Sequence, residues 1–160
     1  YGDQMMRGLI DDRYTCVFWH ASGFHWYDLK AKPTPVFSGD NYPERTGSAN
    51  GLTAFDGKSL ATIRGGYLLL DRQEKRPLSK LESFRMEGLR EHLGVPLVHD
   101  HELYAANRAS GLVTVLDIAD PANPKLIEQI ETPGNPARVS ATKEKVLIPN
   151  GYDGLLILDR

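Results

Sequence analysis

Residues 107–127 read NRASGLVTVLDIADPANPKLI. The stretch opens on a turn, runs through aliphatic residues, closes on Asp117 and passes two prolines into a second apolar run. This is the pattern of two β-strands joined by a stiff connection. β-Branched residues suit a pleated, half-buried surface, and proline cannot donate to a ladder. The decisive property is recurrence. GFHWYD stands at 23–28, GYLLLD at 66–71, SGLVTVLD at 110–117 and GLLILD at 154–159. The closing aspartates Asp28, Asp71, Asp117 and Asp159 are spaced by 43, 46 and 42 residues. Pro35, Pro77 and Pro124 follow the first three at 7, 6 and 7 residues. A period of this length built from short strands is the signature of propeller blades, each an antiparallel four-stranded sheet. The competing architecture is a β-sandwich, which has no need of one Gly–apolar–Asp pattern in all four units, followed by proline in the first three.

Working outward, each unit is expected to hold strands a to d, with blades at 3–40, 51–85, 95–131 and 137–160. Unit three takes strands at 95–98, 103–107, 112–118 and 125–130, with HDHE at 99–102 as its a–b turn. Unit two takes 51–55, 59–64, 67–70 and 78–84, with Asp-Gly-Lys at 56–58 as a turn suited to positive φ. Unit one takes 4–10, 14–20, 24–29 and 36–38. Unit four takes 137–141, 146–149 and 155–158, without a fourth strand. Met86, Leu89 and Leu93 at helical spacing, with Gly94 as a stop, predict one or two helical turns over 85–94. An unpaired outer edge is an aggregation hazard. The chain is therefore expected to be the C-terminal portion of a larger propeller, its last blade completed by a preceding segment or by a second chain.

Composition narrows the function without naming it. The 160 residues are 41% hydrophobic and 25% charged, with a net charge of −2. Nucleic-acid binding would want a strongly basic face, so it is not expected. No apolar run approaches the ~18–20 residues of a membrane-spanning helix. The single cysteine, Cys16, excludes an internal disulfide and reads as a small strand residue rather than a nucleophile. No phosphate-binding glycine loop, Ser-His-Asp order or nucleotide motif is present, and no cofactor is expected.

The segments YAANRASGLVTVLDIADPANPKLIEQIETPG and VLIPNGYDGLLILD resemble the LVIVD-repeat family of propellers. The family pattern is Gly-Leu, an aliphatic run, Asp-Ile-Ser-Asp-Pro, then Asn-Pro and a last hydrophobic strand. Unit three follows it closely, with Ala119 where serine is usual, and unit four follows it to its end. Units one and two share the outline, with KAKPTP and QEKRPL in place of the Asp-Pro–Asn-Pro segment. The resemblance implies a propeller and an exported location, periplasmic, cell-surface or secreted. It implies no activity. The absence of a Trp-Asp dipeptide sets the chain apart from WD40 repeats.

In such blades the b–c and d–a loops share one rim, around the mouth of the central channel. That rim is expected to collect Trp19, His20, Arg64, Asn107, Arg108 and Tyr152 from b–c loops, and Arg45, His92 and Arg138 from d–a loops. Several arginines at one mouth suit a carboxylate, sulfate or phosphate, and aromatic rings beside them suit a sugar face. The expected ligand is an acidic or polar small molecule or glycan. The bland alternative is that wet loops are polar and arginine is common in them. A second expectation is a propeller enzyme, a lyase or hydrolase on acidic polysaccharides, with His20 or His92 moving a proton. A third is a purely structural blade set. His99 and His101 suggest a metal site only weakly, because His-x-His alone lacks the further ligands a closed zinc site needs, and the same position is a turn in the other units. Asp117 and Asp120 read as turn-forming residues that bond the local backbone.

Overall fold

The hairpin turn at Asp56-Gly57 shows how local chemistry lays out the chain. Both residues take positive φ, +46° and +68°, the pairing whose twist matches two antiparallel strands. Asp100 does the same for the next unit at φ +54°. The turn there is therefore Asp100-His101 alone. His99 and Glu102, expected in the turn, pair with each other as strand ends. The computed structural model describes residues 5–9, 13–19, 23–30, 36–41, 50–71, 80–87, 89 and 93–160.

The described residues form an all-β chain of antiparallel sheets. The first sheet holds β1 (Met5–Leu9), β2 (Tyr14–Trp19), β3 (Gly23–Asp28) and β4 (Val36–Asn41). The second holds β5 (Leu52–Phe55), β6 (Lys58–Ile63), β7 (Gly66–Asp71) and β8 (Lys80–Arg85). The third holds β9 (Val95–His99), β10 (Glu102–Asn107), β11 (Leu112–Asp117) and β12 (Lys125–Glu131). The fourth holds β13 (Ser140–Ala141), β14 (Lys145–Pro149) and β15 (Leu155–Asp159), with β15 at its edge. Strands pair in sequence order, each with the next. β13 keeps only two residues of the strand expected at 137–141. In 85–94 the described part is a turn, not a helix: the Leu89 N–H donates to Met86 O at 3.3 Å. No helix among the described residues is long and apolar enough to cross a membrane.

The closing aspartates make local bonds. Asp28 Oδ1 accepts from Lys30 N–H at 3.0 Å, and Asp117 Oδ1 from Ala119 N–H at 2.9 Å. Asp120 accepts from Ala122 N–H at 3.0 Å and from the Asn123 amide at 2.7 Å. Each bond turns the chain out of strand c, the role short polar side chains play in Asx turns. The first and third sheets also share a register shift between strands c and d, at Trp26/Tyr27 and at Val115/Leu116. Both lie at the same distance before the closing aspartate. Such bulges increase local twist.

Sheets two, three and four pack face to face in chain order. One core, built on Leu60, Tyr67, Leu69, Leu103, Leu116 and Ile118, fills the space between sheets two and three. A second, built on Tyr104, Val113, Val115, Val139, Val146 and Ile148, fills the space between sheets three and four. Successive side chains of a strand point to opposite faces. Leu103 and Ala105 therefore serve one core while Tyr104 and Ala106 serve the other. This is why β10 and β11 are buried at four consecutive positions instead of alternating. The first strands lie together: β1 contacts β5, and β5 contacts β9.

Candidate functional site

The b–c end of each sheet is built by backbone bonds that gather neighbouring units. Asn50 N–H donates to Thr62 O at 3.0 Å, and its amide reaches Leu93 O at 2.7 Å. Thr62 Oγ1 donates to Gly94 O at 2.5 Å. These bonds bring the entries of the second and third sheets to the b–c end of β6. Gly94 is needed there. A Cβ on it would overlap the Ala106 carbonyl oxygen, which is backbone and has nowhere to move. In the fourth sheet Ala137 N–H donates to Pro149 O at 2.8 Å, so the same latch closes its b–c end.

On this rim Arg64 follows β6 and is exposed. Asn107 ends β10, half-buried, and its Oδ1 accepts from Ala109 N–H at 3.0 Å, which shapes the b–c turn. Arg108 is exposed in that turn, and Arg138 is exposed in the loop before β13. Among the described residues neither Arg108 nor Arg138 has an ion pair. Tyr152 stands in a 3-10 turn, Gly151–Asp153, with its side chain fully bare to solvent. Asn150 beside it is 1% exposed, and its Oδ1 has no hydrogen-bond partner among the described residues. Trp19 closes β2 at the matching b–c end. His20, Arg45 and His92 lie outside the described residues.

The opposite rim holds a cluster that the sequence reading passed over. Arg160 donates to Asp100 Oδ2 and to Glu102 Oε2, each at 2.9 Å, and Tyr104 donates to Glu102 Oε2 at 2.5 Å. Lys145 pairs with Asp159 across the β14–β15 hairpin. The Arg160 bonds tie the third sheet to the fourth. Its hydrogen bond holds Asp100 below the usual carboxylate range. Burial pushes Glu102 up, but the bonds from Tyr104 and Arg160 outweigh it and the net shift is downward. Burial, then the bond to Glu102, pushes the Tyr104 hydroxyl up to about 12. The one signal in the sequence was that Asp-Arg at 159–160 repeats Asp-Arg at 71–72. His99 ends β9 with its Nε2 buried and without a hydrogen-bond partner among the described residues, 3.8 Å from Asp100. His101 is exposed in the turn. Among the described residues no three His, Cys, Asp or Glu side chains converge to hold a metal ion.

No family profile matches the chain, and no curated protein matches it in sequence. Solved structures do match in fold. The computationally designed Ika4 protein superposes with a TM-score of 0.70 at 10% identity, over 99% of this chain and 92% of that one. Apo AztD from Citrobacter koseri superposes with a TM-score of 0.60 at 14% identity, over 99% of this chain. A second AztD structure gives 0.60 at 13% identity over 97%. The chain spans 46% and 43% of the two AztD chains. At these identities the likeness is one of fold alone.

Proposed function

We propose that the chain is a portion of a β-propeller of the LVIVD type, and that its b–c rim binds an acidic or polar saccharide-like ligand. Support for the propeller comes from the serial contact of β1, β5 and β9, the two-faced burial of the third sheet and the fourfold Gly–apolar–Asp pattern. The blades of this reading are 3–40, 51–85, 95–131 and 137–160. The observation that carries the ligand reading is the exposure of Arg108 and Arg138, both without an ion pair among the described residues, on the rim that also bears the bare Tyr152. A guanidinium offers a planar fork to a carboxylate or sulfate, and a tyrosine ring offers a face to a sugar. On the other rim Arg160 is already satisfied by Asp100 and Glu102, and Arg13 pairs with Asp28.

Calorimetric titration with uronate oligosaccharides tests this reading. The Arg108→Ala variant weakens binding by about 1–3 kcal/mol if the guanidinium holds a carboxylate. Unchanged affinity removes Arg108 from the site, and no binding by the unaltered chain removes the ligand reading. The enzyme alternative rests on His20 and His92. Incubation with the same glycans would release unsaturated or reducing ends if it holds.

A further inference from the structure

The connection from the third sheet to the fourth packs against an oxygen-rich turn. Asn150 stands immediately before the 3-10 turn Gly151–Asp153. An asparagine in that position ordinarily turns its side-chain oxygen onto the free N–H groups of the first turn. Asn150 makes no such bond. The residue is 1% exposed, and its Oδ1 is buried without a hydrogen-bond partner among the described residues. A buried carbonyl oxygen left in that state is costly, and it calls for something electropositive beside it.

Asp153 comes to the same place. Side chains three residues apart eclipse one another in a 3-10 turn, so the carboxylate of Asp153 lies on the side of the turn that Asn150 faces. Asp153 is exposed and has no ion pair among the described residues. Gly134 marks where the two side chains meet. A Cβ built on it would overlap Asp153 Oδ2 and the Asn150 carbonyl oxygen, and would stand 3.2 Å from Asn150 Cγ. The missing side chain leaves a small cradle lined by oxygen. Backbone bonds fix its walls. Thr132 N–H and Oγ1 donate to Gly111 O at 2.8 and 2.9 Å, and Asn150 N–H donates to Gly154 O at 2.8 Å.

We propose that Asn150 Oδ1 and the Asp153 carboxylate hold a calcium ion at this cradle, with water completing its shell. The donors are all oxygen, which suits a hard cation and not a thiolate- or imidazole-seeking metal. Calcium accepts amide oxygens and carboxylates in irregular arrangements, whereas magnesium demands a near-ideal octahedron and gives up its water reluctantly. A single carboxylate places the site among weak ones, with Kd on the order of 0.1–1 mM. The site does not depend on the saccharide reading, since neither Arg108 nor Arg138 takes part in it. Bound calcium braces the connection at Gly134 against the b–c turn of the fourth sheet, on the rim away from Arg160.

Calorimetric titration of the 160-residue chain with calcium chloride at physiological ionic strength tests the proposal. One saturable site in the range of about 0.1–1 mM is expected, and the unfolding midpoint rises with calcium concentration by mass action. In the unaltered chain, amide resonances of Gly134 and of residues 150–154 shift with the same midpoint. Asp153→Asn keeps the shape of an exposed residue, removes its charge and weakens binding about tenfold or more. Asp56→Asn, which removes an exposed carboxylate on the opposite rim, leaves binding unchanged. With chelator present, both variants unfold at the midpoint of the unaltered chain. The absence of a saturable site up to about ten times that range overturns the proposal. So do resonance shifts confined to other parts of the chain. Binding that Asp153→Asn leaves intact, or that magnesium matches, means an adventitious ion only and overturns it as well.

Discussion

The third strands of sheets three and four follow one pattern and meet different fates. SGLVTVLD at 110–117 and GLLILD at 154–159 are the same pattern with the same closing aspartate. β11 is buried at four consecutive positions, and β15 alternates between exposed and half-buried. Strand propensity does not distinguish them. What differs among the described residues is the packing: sheet three has a core on each face, and sheet four shares one of those cores. A run of aliphatic residues on consecutive strand positions thus encodes a strand meant for two cores, and whether both exist is a property of the assembly.

Substitutions sharpen that contrast in decreasing order of effect. Leu116→Ala empties a fully buried position between sheets two and three, and lowers the unfolding free energy in urea by about 2–5 kcal/mol. Val115→Ala, on the other face of the same strand, lowers it by roughly 2 kcal/mol; a much smaller loss would mean that the contact between sheets three and four is loose. Tyr67→Phe removes the hydroxyl that donates to Pro121 O at 2.6 Å, a bond from sheet two to the turn after β11. It costs about 1 kcal/mol, read from the same urea curves. Ile157→Ala, the counterpart of Val115→Ala, shifts stability by less than about 0.5 kcal/mol when measured at concentrations low enough to keep the chain single. A cost equal to that of Val115→Ala would show that the face is already covered in the single chain.

The two rims give a second contrast, and acid separates them. Asp100 and Glu102 have folded pKa values below their ordinary ones. Their contribution is complete above the ordinary carboxylate range and is lost as the pH falls through the lowered folded values. Acidification below about pH 4 therefore loosens the Arg160 tie between sheets three and four. Amide exchange in β14 and β15 then speeds up before exchange in β6 and β7. Arg160→Ala reproduces the effect at neutral pH, and the b–c rim, held by backbone bonds, is unaffected by either change.

Much of the fold was legible because its signals are local. The Asp-Gly turn at 56–57, the repeated Gly–apolar–Asp pattern and the Asx bonds of Asp28 and Asp117 each act within a few residues. Signals that depend on distant partners were not legible. The spacing of Met86, Leu89 and Leu93 suggested one or two helical turns; the described residues show one turn, Leu89 N–H to Met86 O, and only the structure gives Leu93 its place in the core between sheets two and three and its N–H bond to Ile63 O at 3.3 Å. The HDHE stretch looked like one polar turn, yet the β9–β10 register draws His99 and Glu102 into strands. On the rim, Arg64, Asn107, Arg108, Arg138 and Tyr152 were found by repeat position. Nothing in the repeat pointed to Arg160, whose partners lie 58 and 60 residues away.

The sequence by itself determined that short strands recur, which residues turn the chain out of them and that each unit repeats the last, because those choices rest on backbone preference and side-chain alternation. Only the tertiary structure decided which faces are dry and which cations are already spent on an ion pair, because burial and pairing depend on what another part of the chain, or another chain, brings alongside.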